Sequence, residues 1–394
     1  MMKKRWKYLI VGVVMMLFSG IIYAWSILKS PLAMEFGWDN AALGLNFTIT
    51  MACFCLGGIL GSIITKKISP RITIMLSSLV IFTGFFLSSR MQGAIGVLYI
   101  SYGGMCGLGI GVVYNVVIST VSGWFPDQRA TASGALMMGF GASSLVLGSI
   151  TGQLIGMVGW RQAYFLLGIS ILVILSLGAM LITPVPTTMV FPAKNERKQE
   201  DQQMEYTTGE MVQSLSFWKF YMLAILLSSI GSSVISFAKD VLLQVGAAET
   251  LAIILVGVLS VCNGLGRIVS GFLFDRVGRR KTMLLANAMA IIAPAITLFA
   301  LVGSSIPLMI LGMVVVGFSY GAMPPISSGF VNSFYGPKHF ASNFGIANTM
   351  LVPASFSATI SGMIVNTTGS FIGVFIMLLC FAVVGLMINL SLKK

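Results

Sequence analysis

The sequence predicts an all-α integral membrane protein with twelve transmembrane helices arranged as two six-helix bundles. Hydrophobic residues make up 57% of the 394 residues and charged residues only 9%, whereas a soluble domain carries about a quarter charged residues. About twenty apolar residues cross a bilayer core, and the chain contains about twelve such runs. Because lipid offers the backbone no hydrogen-bond partners, each run must form a helix.

The predicted spans fall into two sets of six, separated by one long polar stretch. That stretch opens with Pro184 and Pro186 and continues K-N-E-R-K-Q-E-D-Q-Q, a composition that cannot bury a core. We therefore expect an N-terminal bundle (1–183), a cytoplasmic linker (184–216) and a C-terminal bundle (217–394). The predicted spans are 8–28, 41–64, 72–89, 97–123, 134–156 and 163–183, followed by 217–238, 251–274, 283–303, 306–330, 343–365 and 370–391.

The net charge of +13 is distributed unevenly between the two sides of the predicted membrane. With both termini in the cytoplasm, nineteen basic residues lie inside and four outside, as the positive-inside rule predicts for an inner-membrane protein. We interpret the excess as a topology signal and expect no nucleic-acid partner. The outer residues are Lys29, Arg90, Arg161 and Lys239; the inner ones are Lys3, Lys4, Arg5, Lys7, Lys66, Lys67, Arg71, Arg129, Lys194, Arg197, Lys198, Lys219, Arg276, Arg279, Arg280, Lys281, Lys338, Lys393 and Lys394.

An internal repeat supports the division into two halves. At an offset of 209, one set of residues matches another in the second half, and the tetrapeptides that end in Tyr114 and Tyr320 match at 206. Parallel halves place the substrate site near the bilayer midplane at their interface. The matches at 209 are Gly57, Arg71, Thr73, Leu76, Phe125, Arg129, Ala132 and Ser133 with Gly266, Arg280, Thr282, Leu285, Phe334, Lys338, Ala341 and Ser342.

The cysteines and the remaining polar residues give no sign of catalysis or metal binding. All five cysteines fall inside predicted spans, where they are expected to act as small hydrophobes rather than disulfides. Cys53 and Cys55 are two apart on a helix and point to different faces, which disfavours a metal pair. Because the sequence has no Ser/His/Asp set or metal cluster at plausible spacing, we expect that the protein is not an enzyme and binds no cofactor or metal. We also expect a monomer.

The acidic residues all fall in loops or at span ends, which isolates one basic residue. Arg267 lies about two turns inside the eighth predicted span. A guanidinium at that depth is costly and usually faces a cavity or a partner. With no carboxylate predicted at that depth, the expected counter-charge is the substrate, and the planar guanidinium suits a carboxylate. The alternative is that Arg267 snorkels to the cytoplasmic surface.

The loop after the eighth span reads G-F-L-F-D-R-V-G-R-R-K, from Gly271 to Lys281. It resembles the loop motif of the major facilitator superfamily, in which the glycines permit a tight turn. Gly271, Asp275, Arg276, Gly278, Arg279 and Arg280 carry the motif and are expected to act as conformational latches or topology anchors. The first-half copy, from Ser62 to Arg71, is degenerate, since Lys66 stands where the acid should be.

Four further segments together resemble the oxalate:formate antiporter family, to which bacterial monocarboxylate transporters are closely related. The segments are G-I-I-Y-A-W-S-I-L-K-S-P-L (20–32), Y-N-V-V-I-S-T-V-S-G-W-F-P-D (114–127), G-W-R-Q-A-Y-F (159–165) and N-G-L-G-R (263–267). The resemblance implies a twelve-helix fold, a central anion site reached by alternating access, and substrate carboxylate binding by Arg267.

Several neighbours of Arg267 and several aromatic residues are candidate substrate contacts. Asn263 lies one turn before Arg267 on the same face and either orients the guanidinium, binds substrate or packs helices. Tyr114 and Tyr320, expected at equivalent places in the two halves, either aim hydroxyls at the anion or pack. Tyr23 and Trp25 match the family's Y-A-W and form a pocket wall or pack. Weaker candidates are Asn46, Asn348 and Ser355; His339 is expected in a solvated loop, and Lys29 at the outer interface.

Two departures from the family pattern shape the expected function. The oxalate transporters carry a lysine on the eleventh span where this chain has Leu351, so one buried cation favours monocarboxylates such as lactate, pyruvate or formate. Proton-coupled animal monocarboxylate transporters carry an aspartate four residues before this arginine, where this chain has Asn263, so no proton-binding group of the protein is evident. Coupling is expected by proton symport or anion exchange. The alternatives are an oxalate/formate-type dicarboxylate exchanger, a multidrug efflux pump and a non-transporting solute sensor. A multidrug proton antiporter normally needs an acidic residue inside the membrane, and the predicted spans of this chain contain none.

The predicted topology can be tested by labelling introduced cysteines. Lys198→Cys and Arg280→Cys should react with an impermeant maleimide only from the cytoplasmic side, because both positions lie on the basic face. Labelling of either cysteine from outside in intact cells would overturn the topology.

Overall fold

The computed structural model describes residues 2–38, 40–185 and 205–392, and in these residues the regular structure is helical. The helices of the first half are α1 (Met2–Ser19), α2 (Trp25–Phe36), α3 (Asn40–Ile64), α4 (Pro70–Ser89), α5 (Ile95–Leu98), α6 (Gly107–Ser122), α7 (Arg129–Val158) and α8 (Trp160–Leu181). The remaining helices are α9 (Thr208–Gln213), α10 (Leu215–Gln244), α11 (Glu249–Val277), α12 (Arg279–Val302), α13 (Ile306–Tyr335), α14 (Phe340–Ala347), α15 (Leu351–Thr368) and α16 (Ile372–Ser391).

Twelve helical stretches within the described residues are long and apolar enough to cross a membrane. Each overlaps one of the predicted spans, so the predicted all-α architecture with twelve spans is confirmed. They are Arg5–Phe36, Leu45–Ile64, Pro70–Ser89, Ile95–Ser122, Arg129–Val158, Trp160–Leu181, Leu215–Ala238, Ile254–Val277, Arg279–Val302, Ile306–Tyr335, Phe340–Thr368 and Ile372–Ser391.

The chain forms two compact units. Unit 1 comprises Met1–Met204 and Lys338–Thr349, and unit 2 comprises Glu205–Pro337 and Met350–Lys394. The first part of span 11 thus groups with the N-terminal helices, an arrangement that the simple division into two halves did not include. Residues 186–204 of the expected linker lie outside the described residues, and the linker bounds stay a prediction.

In unit 1, glycines allow spans 2 and 4 to cross closely. A Cβ on Gly57 would lie closer than 3.0 Å to the carbonyl oxygen of Leu108, and a Cβ on Gly111 would lie equally close to the carbonyl of Phe54. Small residues let helix backbones approach in this way where lipid supplies no hydrophobic drive for association. Around this crossing, α4 packs on α8, and α1 packs on α7.

Unit 2 repeats the same crossing between spans 8 and 10. A Cβ on Gly266 would lie 2.6 Å from the carbonyl oxygen of Phe318, and one on Gly321 would clash with the carbonyl of Asn263. Outside the crossing, α12 packs on α13 and α16, while α10 packs on α15 and α16. The polar contacts include Asn389 Nδ2, which donates to the carbonyl of Met283 at 3.0 Å.

The repeated crossing corrects the expected equivalence of Tyr114 and Tyr320. Gly111 approaches the carbonyl of Phe54 as Gly321 approaches that of Asn263, so Gly111 corresponds to Gly321 rather than to Gly317. The matching tetrapeptides at an offset of 206 are therefore about one helical turn out of register. Residues one turn apart lie on the same face of a helix. The two tetrapeptides therefore resemble one another in sequence although they lie at different levels of the crossing.

Three membrane spans contain irregular turns. Span 1 has a 3₁₀ turn at Gly20–Ala24, span 4 has a π-helical stretch at Tyr99–Cys106, and span 11 has a 3₁₀ turn at Asn348–Met350. Such interruptions often mark hinges or functional sites because they break the regular hydrogen-bond ladder. Tyr23 lies in the first of these turns and Asn348 in the last.

The glycine crossing of unit 1 should be sensitive to a single methyl group. Gly111→Ala drives a Cβ into the Phe54 carbonyl, and overpacking of this kind costs about 1–3 kcal/mol. We expect a lower thermal unfolding temperature in detergent. The control is Gly152→Ala, whose Cβ would meet only Ile27 at 3.9 Å; equal unfolding temperatures for both variants would contradict the packing account.

Candidate functional site

Arg267 is the one charged side chain among the buried polar residues that the structure describes. It lies in α11 within span 8, and only 3% of its surface is exposed. Moving a charged group out of water has an effective penalty of several kcal/mol even after relaxation. Its near-complete burial argues against a guanidinium that reaches the cytoplasmic surface.

The close packing of α11 on α13 holds the backbone around Arg267. A Cβ on Gly321 would lie 3.2 Å from the amide nitrogen of Arg267 and closer still to the carbonyl of Asn263. On the following turn, Ser270 Oγ donates to the carbonyl of Gly266 at 2.7 Å. The segment from Asn263 to Arg267 is thus fixed against a neighbouring helix, and a fixed backbone favours precise positioning of a planar guanidinium.

Asn263 lies one turn before Arg267, on the same face of α11. Its side chain is half-buried, and its Oδ1 atom is buried without a hydrogen-bond partner among the described residues. A buried acceptor that lacks a partner is destabilising and calls for an explanation such as water or a ligand. The amide is therefore available to a bound solute or to the neighbouring guanidinium.

Tyr320 lies on α13, one residue before Gly321. Its ring fills the space beside Gly231 of α10, where an added Cβ would overlap the ring atoms. The side chain is half-buried, so α10 fixes the orientation of the ring. Tyr320 thus lies on α13, which packs against α11, the helix that carries Arg267.

In unit 1 the structure brings Tyr23 and Tyr114 to one aromatic cluster. Both rings pack edge-on against Phe140, at centroid distances of 5.3 and 5.0 Å. Tyr114 also contacts Phe54 at 5.1 Å and stacks with Phe344 at 6.4 Å. The sequence alone did not indicate these phenylalanines, because a phenylalanine in an apolar span does not stand out from its apolar neighbours.

Trp25 has a different environment from Tyr23, although the two are neighbours in the Y-A-W motif. Its indole nitrogen donates to the carbonyl of Leu43 at 3.1 Å, and its ring packs on Tyr102 at 4.7 Å. These contacts hold the indole ring between span 2 and Tyr102. Its predicted role as a pocket wall stays a prediction.

The weaker candidates are dispersed. Asn46 is fully buried, and neither side-chain polar atom has a hydrogen-bond partner among the described residues. Ser355 Oγ donates to the carbonyl of Val352 within its own helix. His339 is half-buried immediately before α14, and Lys29 is half-buried on α2 within span 1.

The loop motif forms the turn between α11 and α12. Gly278 has φ of +89°, a conformation that favours glycine, as the predicted tight turn requires. Arg279 lies over the ring of Phe334 at 4.1 Å, and Arg276 lies over Phe272 at 5.5 Å. Both contacts pack an arginine of the motif against an aromatic ring. Gly271 and Asp275 lie on the last two turns of α11.

The described residues contain no candidate metal site. No group of three or more His, Cys, Asp or Glu side chains there is arranged to hold a metal ion. A guanidinium such as that of Arg267 can form charge-assisted, bidentate hydrogen bonds with a carboxylate.

The sequence profile of the Major Facilitator Superfamily matches residues 8–237 and 221–393. The chain belongs to the Major Facilitator Superfamily. It is therefore a membrane transporter with twelve spans and not an enzyme, as the sequence predicted.

Two relatives agree with this assignment, and a solved structure shares the fold. The chain is 25% identical to the oxalate:formate antiporter of Oxalobacter formigenes over 349 residues, covering 86% of this chain and 80% of that protein. It is 27% identical to monocarboxylate transporter 12 of Mus musculus over 355 residues, covering 84% and 72%. The structure of the proton:xylose symporter XylE superposes with a TM-score of 0.76 at 14% identity, covering 98% of this chain and 95% of that one. The first two bear out the narrower resemblance seen in the sequence.

Proposed function

We propose that the protein is a secondary active transporter of small organic anions, chiefly monocarboxylates such as lactate, pyruvate or formate. Transport proceeds by alternating access, and Arg267 binds the substrate carboxylate. The relatives named oxalate:formate antiporter and monocarboxylate transporter support a carboxylate substrate. The protein works in the bacterial inner membrane as a monomer, with both termini in the cytoplasm.

The observation that carries the proposal is the burial of Arg267 within α11, among neighbours in the helix that carry no charge. A charged side chain within a span is costly and usually serves a solute pathway. An arginine that spends part of the cycle on a carboxylate gains bidentate, charge-assisted hydrogen bonds. A loosely hydrated guanidinium suits this role better than a lysine ammonium would.

Other residues divide between the two units. In unit 2 we propose that Asn263 bonds the polar group next to the carboxylate, or orients the guanidinium, and that Tyr320 donates its hydroxyl. In unit 1 we propose Tyr114 and Tyr23 as substrate contacts, because both pack on Phe140. Trp25 supports them by fixing the start of span 2 through Leu43.

The preference for one carboxylate over two rests on Leu351. It is the first residue of α15, directly after the 3₁₀ turn of span 11, and is half-buried. A dicarboxylate on Arg267 would bring a second negative charge to a site whose second cation is replaced by leucine. An uncompensated carboxylate in the protein interior costs several kcal/mol.

Coupling follows one of two routes, proton symport or exchange of one anion for another. Asn263 cannot take up a proton, so a proton that accompanies the substrate travels on another group or as the acid itself. Proteoliposomes separate the two routes. Uptake driven by an inward proton gradient alone indicates symport, whereas uptake that needs internal carboxylate indicates exchange.

Arg267 is tested by a substitution that keeps its charge. Arg267→Lys loses the planar fork, and Arg267→Ala loses the charge as well, so carboxylate binding should weaken by about 2–5 kcal/mol in the alanine variant. That corresponds to roughly 30-fold or more in affinity. The assay is uptake by proteoliposomes, with Arg90→Lys, an exposed arginine, as the matched control. Normal affinity in a folded Arg267→Ala protein would refute the assignment.

Anion selectivity is tested by competition of formate, lactate, pyruvate and oxalate for one labelled substrate. The unmodified protein should prefer monocarboxylates to oxalate by roughly a hundredfold or more. The reason is that the uncompensated second carboxylate costs several kcal/mol, and each 1.4 kcal/mol is tenfold in affinity. Leu351→Lys should narrow the gap, and Leu351→Met, which keeps size without charge, should not. A native preference for oxalate would favour the dicarboxylate exchanger instead.

A further inference from the structure

The loop between spans 2 and 3 carries a basic cluster, which is formed by Lys66, Lys67 and Arg71. All three side chains are exposed, and none of them forms an ion pair with the residues that the structure describes. This loop is the degenerate first-half copy of the superfamily motif, whereas the copy in unit 2 keeps its acid at Asp275. The first-half loop therefore lacks the carboxylate that would repel an anion.

The surrounding helices of unit 1 offer the basic cluster no counter-charge. Asp and Glu are absent from residues 40–126 and 128–195, which include spans 2 to 6. In the described part of unit 1, the acidic side chains are already paired: Glu35 with Arg161 at 2.8 Å, and Asp127 with Arg5, also at 2.8 Å. Basic residues at a membrane surface attract anionic lipid headgroups, so an external anion suits the cluster.

Arg71 connects the basic cluster to the end of span 6. Its guanidinium donates to the carbonyl of Ala179 at 3.3 Å and to that of Met180 at 2.6 Å, both in the last turn of α8. About two turns further along span 3, the hydroxyls of Ser78 and Ser176 lie 3.2 Å apart. Spans 3 and 6 thus run side by side from the cluster into the membrane.

Next to the basic cluster, these two spans present an apolar strip on the outside of the bundle. Its residues recur every three or four positions on each helix, which places them on one face. Exposed apolar side chains at this depth suit the acyl chains of a lipid. The strip consists of Ile72, Leu76 and Leu79 of span 3 and Leu177, Met180 and Leu181 of span 6, each at least 45% exposed.

We propose that the basic cluster and the apolar strip together bind an anionic phospholipid such as phosphatidylglycerol. Lys66 and Lys67 contact the phosphate, and the acyl chains lie along the strip. Arg71 holds the end of span 6 beside the headgroup, so one lipid touches both spans. The binding needs no carboxylate substrate and is therefore independent of the proposed function.

Native mass spectrometry of the purified full chain, titrated with phosphatidylglycerol or with phosphatidylcholine of the same acyl chains, tests the charge requirement. Lys66→Gln/Lys67→Gln should bind phosphatidylglycerol about 25-fold more weakly, at about fivefold for each juxtamembrane charge, and phosphatidylcholine as before. The matched control is Arg280→Gln/Lys281→Gln, which removes two exposed cations from the equivalent loop of unit 2. Equal weakening by the two double variants would show general surface attraction and overturn the site.

A phosphatidylglycerol with a photoreactive acyl chain tests the position of the lipid. After irradiation in lipid nanodiscs, the cross-links should lie in peptides of spans 3 and 6, and Lys66→Gln/Lys67→Gln should reduce them. Inorganic phosphate should not compete, because it lacks acyl chains. Cross-links confined to other spans, or displacement of the lipid by inorganic phosphate, would contradict the proposal.

Discussion

The close crossing of paired helices at glycine residues is the interaction on which the rest of the structure depends. In unit 1, Gly111 lets span 4 reach the backbone of span 2, and in unit 2, Gly321 does the same for spans 10 and 8. In lipid there is little hydrophobic driving force for helix association, so the helices are held together largely by van der Waals packing. Glycine permits that packing because it lets the two backbones approach closely. The crossing in unit 2 fixes the segment that carries Arg267, and the crossing in unit 1 leaves Gly58 and Asn115 in contact with Gly345 of α14.

Burial of the Arg267 guanidinium is costly. In the function proposed above, the guanidinium binds the carboxylate of the transported anion through charge-assisted hydrogen bonds. The proposed selectivity rests on the same electrostatic argument. In that proposal Arg267 binds one carboxylate, and the leucine at position 351 leaves a second carboxylate without a compensating charge.

The sequence predicted the twelve spans because span length and apolar composition are read directly from the residues. It did not predict the turns at Gly20–Ala24 and Asn348–Met350, since hydropathy does not distinguish 3₁₀ from α-helical backbone. The repeat predicted that Tyr114 and Tyr320 are equivalent, which is about one turn out of register, because the packing of Gly111 and Gly321 depends on contacts distant in sequence. For the same reason it could not assign α14 to unit 1. Arg267 was found because a lone charge in an apolar span is conspicuous.

Thermal unfolding of the purified protein with one- to four-carbon acids tests the central claim most directly. Ligands that bind the folded state raise the unfolding temperature, so monocarboxylates should stabilise the unmodified protein and leave Arg267→Ala unchanged. Neutral analogues such as lactamide should stabilise neither. Equal stabilisation of both proteins by lactate, pyruvate or formate, or stabilisation of the unmodified protein by none of the acids, would contradict the account.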